Sequence, residues 1–216
     1  MPALIAWWTG DLATLAPAAD PAQVYATGAD LLARWREPQR HYHSTRHLVE
    51  MFWALEELGE TGVVDAGQEL LGRVAAWGHD AVYSVTTPQG NEVASAQVME
   101  GVLGQLRVDD RSVEVVDRLI RASERHELPG PDDALDAAFH DADLWILGAD
   151  TDRFDEYCAQ VRAEYAHVPD AAYASARRAV LEPFLTRPQL YATSHAETVW
   201  APRARVNLAR EIARLG

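Results

Sequence analysis

The sequence predicts an all-α fold, a single helical bundle. Apolar residues recur at helical spacing along almost the whole chain, no sustained alternating run of β-branched residues occurs, and the breaks between periodic segments carry Pro and Gly. Its 216 residues suffice for one domain with a sizeable core, and 48% apolar with 24% charged residues is an ordinary globular balance.

Ten helices are expected. Ala3 to Leu15 and Pro21 to Trp35 come first, the second stopped by Glu37-Pro38, and Ser44 to Leu58 is stopped by the turn Gly59 to Gly62. Asp65 to His79 leads into an extended or loop segment that closes on Thr87-Pro88-Gln89-Gly90. Glu92 to Leu106 and Arg111 to Arg125 follow, bounded by Pro129-Gly130-Pro131, and then Asp132 to Leu147. Asp152 to Ala166 ends at Val168-Pro169, Ala171 to Leu185 at Arg187-Pro188, and Ala196 to Leu215 should break or kink at Pro202. No repeat or flexible linker divides residues 1–216, so 151–216 is expected to be a helical covering lobe of the same domain. Its Arg162, Arg177, Arg178 and Arg187 are expected to be solvated or paired with acids, although some could reach a phosphate.

Thirty-three acids against nineteen bases, all of them Arg, give a formal charge of −14. Phosphate backbones and anionic membranes are repelled on average, so bulk nucleic-acid or membrane binding is not expected. One cysteine, Cys158, excludes an intrachain disulfide and multi-Cys metal clusters. Met1 to Leu12 lacks a basic start and a long apolar run, and a cytoplasmic location is expected. Trp7 and Trp8 are expected in the core, with a dimer surface as the alternative, and the oligomeric state stays open.

The chemistry concentrates in three motifs: His41-Tyr42-His43-Ser44-Thr45-Arg46-His47, His79-Asp80, and His140-Asp141-Ala142-Asp143. Mixed imidazole and carboxylate ligands favour Mn, Fe, Co, Ni or Zn over Mg or Ca. His43 and His47 are four apart and share a helix face, but only His47 falls inside the apolar stripe of Leu48, Met51, Ala54, Leu55 and Leu58, so it should point inward. A lone inward histidine is more often a core residue bonded to a carbonyl; the company of His79-Asp80 shifts that balance. Adjacent helical residues diverge by about 100°, so His79 and Asp80 can share an ion only where a helix ends, and one is expected to end there. Asp141 and Asp143 cannot both face one ion, and the flanking Leu147 slightly favours Asp143.

With these motifs the chain resembles the HD-domain metal-dependent phosphohydrolases, in which a His, a His-Asp pair and a distant Asp sit on a helical bundle. The likeness extends over Arg40 to about Leu208, through Gly78-His79-Asp80-Ala81-Val82-Tyr83, Asn91-Glu92, Ser95-Ala96, His126, Ile146-Leu147-Gly148, Arg162, Glu164-Tyr165 and Asn207-Leu208. Ser123 stands where those proteins usually carry Thr. The resemblance implies one divalent transition metal held by His47, His79, Asp80 and Asp143, with His43 as an alternative to His47, and a second metal if His43 and His126 complete another site. It also implies hydrolysis of a small phosphoester, with nucleotides among the candidates, by metal-activated water. Asp80, Glu92 and His126 are the candidate catalytic groups, and Arg46, His43 and Tyr83 the candidate substrate-binding groups, although a first-turn Glu and a packed Tyr are common without catalysis. Two other readings remain: a sensor or interaction protein that binds metal or nucleotide without turnover, and di-iron oxygenation. No Gly-rich phosphate loop or nucleophile elbow is present.

Overall fold

The structure is a computed structural model that describes residues 2–130 and 133–216. Met1, and the expected turn and helix start at Pro131 and Asp132, lie outside the described residues. Among the described residues there are eleven α-helices and no strand, so the chain is an all-α bundle. They are α1 (Pro2–Leu15), α2 (Pro21–Arg34), α3 (Thr45–Glu60), α4 (Ala66–His79), α5 (Asn91–Gln105), α6 (Asp110–Ala122), α7 (Ala134–Asp143), α8 (Thr151–Glu164), α9 (Asp170–Thr186), α10 (Ser194–Val199) and α11 (Ala201–Arg214), with a 3-10 turn at Trp145–Gly148. No helix among them is long and apolar enough to cross a membrane.

Helix starts follow local chemistry. Asp20, Asp65, Asp109, Asp133 and Thr193 each accept a backbone N–H of the first turn, and Asp65 and Gln68 form a reciprocal capping box. One expected helix is shortened, and another breaks where Pro202 implied. The one reaching Leu147 stops at Asp143, because Leu144 leaves helical geometry at φ −89°, ψ 1° and the chain tightens into the 3-10 turn. The one spanning Ala196 to Leu215 divides at Trp200, where Pro202 can occupy only the first turn of a new helix.

Helix α4 is the centre of the bundle, packed against α1, α3, α5, α6 and α7. Its second half, Val74 to His79, is buried at every position, as an all-round apolar helix should be. Gly78 lets α4 approach Met99 of α5 and Ile120 of α6 so closely that a side chain there would collide with both. On the other flank Trp8 of α1 packs edge-on against Trp77 at 5.5 Å and donates to the Val24 carbonyl of α2 at 2.8 Å, while Trp7 lies 40% exposed beside Phe52. Helix α11 lies along the 3-10 turn and α9. Asn207, fully buried, donates to the Leu147 and Ala149 carbonyls at 2.9 Å each, so it holds the turn that follows α7.

Replacing Asn207 with Ala strands both carbonyls in the interior. A loss of about 2–4 kcal/mol is expected, read from the urea midpoint at unchanged denaturant slope; a loss below about 0.5 kcal/mol would mean the turn is held by packing alone.

Candidate metal centre

Four of the singled-out side chains meet at the ends of three helices. His47 is the third residue of α3, His79 the last of α4, Asp80 its cap, and Asp143 the last of α7. Asp80 sits at φ −111°, ψ 23°, outside the helix, and this turn of the backbone brings its carboxylate back beside the His79 ring. The His47 and His79 Nε2 atoms face each other at 3.2 Å. Asp80 Oδ2 lies 3.0 Å from His79 Nε2 and 3.9 Å from His47 Nε2, and Asp143 Oδ1 lies 3.5 Å and 3.2 Å from the same two nitrogens. Ligand atoms of His47, His79 and Asp80 all fall within 4.8 Å of one another.

This donor set fits a divalent cation. His79 Nδ1 donates to the Ala76 carbonyl at 3.0 Å, which leaves a lone pair on Nε2 of the neutral ring, and His47 Nδ1 is engaged by the Tyr42 hydroxyl at 3.1 Å. Two imidazole nitrogens and the Asp80 carboxylate then point at one place, the mixture first-row transition ions prefer, while Asp143 lies against both imidazoles but outside that mutually close group of three. Helices α4 and α7 also end there, adding the negative poles of two helix dipoles. Burial opposes charge on His79, but the Asp80 and Asp143 carboxylates outweigh it and hold the imidazole up at about 9. Burial likewise opposes ionisation of Asp80 and Asp143, and the His79 cation overrides it, so both carboxyls titrate far below their ordinary range.

The cluster forms one end of a cleft of about 410 Å³, whose walls also include His43, Tyr83, Glu92 and His126. His43 stacks on Tyr83 with ring centroids 4.1 Å apart. It belongs to the wall, not to the ligand group: its Nδ1 meets Glu164 Oε2 at 2.7 Å. Glu92 lies in the first turn of α5; burial raises its carboxyl, its own N–H opposes, and Asp80 adds to the rise. His126 holds a left-handed backbone, φ 45°, with its carbonyl accepting from His140 Nε2 and Arg187 Nη1, and its Nδ1 lies 3.7 Å from Asp143 Oδ2. Burial pushes its imidazole below the ordinary value, Asp143 opposes, and His140 and His79 add to the drop. Strained non-glycine residues cluster at functional sites.

One expectation is revised. Arg46 is not at the cleft: it reaches Glu50 at 3.2 Å and Glu156 at 2.6 Å and stays half exposed. Asp141 is wholly buried and serves the C-terminal lobe instead, accepting the Ala192 and Thr193 N–H groups at 2.7 Å each and pairing with His140 at 2.8 Å.

Three residues organise the site in roles the sequence did not assign, and Arg177 among them is neither solvated nor paired with an acid as expected. Buried Arg40 donates to the Asp80 carbonyl at 2.6 Å and to the His43 carbonyl at 3.3 Å, clamping the two ligand-bearing segments together. Glu164 accepts the backbone N–H groups of His41, Tyr42 and His43 at 2.8–2.9 Å and the Tyr83 hydroxyl at 2.9 Å. Burial opposes its charge, but His43 and these N–H groups bring the carboxyl down to about 2. Arg177 lines the cleft from α9. The signal for Glu164 and Arg177 was a charged residue standing in an apolar helical stripe, three after Val161 and four after Tyr173.

Comparison with protein-family models, with curated proteins and with solved structures found no match to the chain.

At pH 7 His79 must surrender its proton to bind an ion. Uptake of Zn or Mn is expected to release about one proton per ion, and affinity to fall about tenfold per pH unit below the His79 value. Calorimetry in buffers of different ionisation enthalpy reads this directly, and binding without proton release would remove His79 from the ligand set. Asp143→Asn should lower metal content at near-native stability, whereas Asp141→Asn should retain metal and lose about 2 kcal/mol. Elemental analysis and denaturation together check the pair, and the reverse pattern would exchange the two roles.

Proposed function

We propose that the chain is an HD-type metal-dependent phosphohydrolase that cleaves a phosphoester of a small molecule, with nucleotides among the candidate substrates. One observation carries the reading: two imidazoles and the Asp80 carboxylate converge, with Asp143 against both imidazoles, on the wall of a cleft of a size that suits a small ligand. A divalent transition ion bound there supplies Lewis acidity and a water acidic enough to attack phosphorus near neutral pH.

The remaining work falls to side chains around the cleft. His43, fixed by Glu164, and Tyr83 stacked on it stand at the wall beside the cluster, where they orient phosphate oxygens. Glu92 and His126 enter from α5 and from the turn after α6, and are the two groups suited to carry a proton to the leaving oxygen or from the attacking water. Among the described residues no arginine takes the place of Arg46 on the cleft lining around the cluster, so neutralising the phosphate charge is left to the ion and the imidazoles.

The untagged protein, purified without added metal, is expected to hold about one transition ion per chain and to release phosphate from members of a panel of nucleotides and sugar phosphates. Asp80→Ala should lose both properties while keeping its helical circular dichroism. A metal-loaded, folded wild type that releases no phosphate from any member would overturn hydrolysis and leave a metal-binding protein without turnover. Hydrolysis retained in Asp80→Ala would overturn the site.

A further inference from the structure

The cleft has a second wall whose chemistry the proposed hydrolysis does not use. Helix α9 faces it with one helical stripe, Tyr173, Ala176, Arg177, Val180, Leu181 and Phe184. Five of the six are apolar or aromatic, the pattern of a core-facing stripe, yet Val180 remains 52% exposed because this face meets the cleft and not another helix.

In the middle of that stripe stands Arg177. Its Nη2 donates to the Tyr157 hydroxyl, its Nε is buried without an acceptor, and no carboxylate pairs with it among the described residues. Of the other arginines of the lobe, Arg187 also lacks a carboxylate and has an unmet buried Nε, but it does not line the cleft and spends Nη1 on the His126 carbonyl; Arg162 pairs with Asp170, Arg178 with Glu182, and Arg210 and Arg214 with Asp155. Tyr173, 8% exposed, also has a buried hydroxyl with no partner among the described residues. Two neighbouring donors left unmet on a cleft wall, in a chain of thirty-three acids, are unfavourable unless a ligand supplies the acceptor.

The floor between this wall and the metal cluster is aromatic. Tyr157 packs against Tyr42 with ring centroids 4.5 Å apart, and the Tyr42 hydroxyl meets His47. A ligand lying across these rings has one end at the cluster and the other at Arg177. A polyol body would lose its hydrogen bonds to water against this surface, whereas a flat apolar body would not.

We propose that Arg177 and Tyr173 form a seat for an acceptor group, carboxylate or carbonyl, carried on the flat, apolar body of the phosphoester. This assignment of substrate class rests on the hydrolase reading, but the seat itself can be tested without turnover. Benzylphosphonate and its 3- and 4-carboxy derivatives resist hydrolysis and can be titrated calorimetrically into the full-length, metal-loaded chain. The better carboxy isomer is expected to bind at least about tenfold more tightly than benzylphosphonate, against the repulsion of an acidic protein. Arg177→Gln should bring that ratio to about one, and Tyr173→Phe, which removes only a hydroxyl, should lower it in part and covers the case in which the Arg177 variant does not fold.

Equal affinity for all three probes, no binding of any, or a ratio indifferent to both substitutions overturns the seat. Phosphate release without the carboxylate preference leaves the hydrolase reading standing and removes the seat. An Arg177-dependent preference without phosphate release from any substrate does the reverse.

Discussion

The structure depends on how a buried helix end is satisfied. Every helix leaves its last carbonyls without intrahelical partners, and α4 ends in the interior, where water cannot reach them. His79 takes the Ala76 carbonyl through Nδ1, Trp35 the Trp77 carbonyl at 2.9 Å, and the Asp80 and Ala81 N–H groups turn back on Gly78. Arg40 takes the Asp80 carbonyl, and with Arg34 it caps Ala81 at 3.4 Å. The donors that end the helix therefore also choose the His79 tautomer, aim Asp80, and draw the loop bearing Tyr42 and His43 against the cluster. Structure and chemistry share these hydrogen bonds, so no substitution among them is purely one or the other.

What could be read from the sequence was mostly local. Apolar periodicity and turn residues placed ten helical segments, and the stripe around Leu48 pointed His47 inward, because both signals depend on neighbours within one or two turns. His79-Asp80 at a helix end was legible because an apolar run stops there. The roles of Arg46, Glu164 and Arg177 were not, since each depends on a partner from a distant segment: Glu156, the backbone at His41 to His43, and Tyr157. Spacing leaned only slightly from Asp141 to Asp143, and the deciding fact, that Asp141 is occupied by Ala192 and Thr193, lies some fifty residues away. The halt of α7 at Asp143 was equally hidden, because the packing of α11 and Asn207 stabilises the 3-10 turn.

Net charge is informative mainly through its exceptions. An acidic surface discourages nucleic acid and membranes and, at long range, a phosphorylated ligand as well. Within the lobe formed by α8 to α11, surface carboxylates neutralise most arginines, and among the described cleft-lining residues Arg177 stands out of that pairing. Cys158 contributes no reactivity to this picture: burial pushes its thiol up to about 12, which keeps it protonated and inert.

The bonds from Glu164 to the His41 to His43 backbone span more than 120 residues of chain. On a ribosome, His47, His79, Asp80 and Asp143 are all made before Glu164, the α9 wall, or the backbone at Ala192 and Thr193 that occupies Asp141. The parts of the cluster thus precede the parts that clamp it, and its geometry is completed last, by the C-terminal end of the chain.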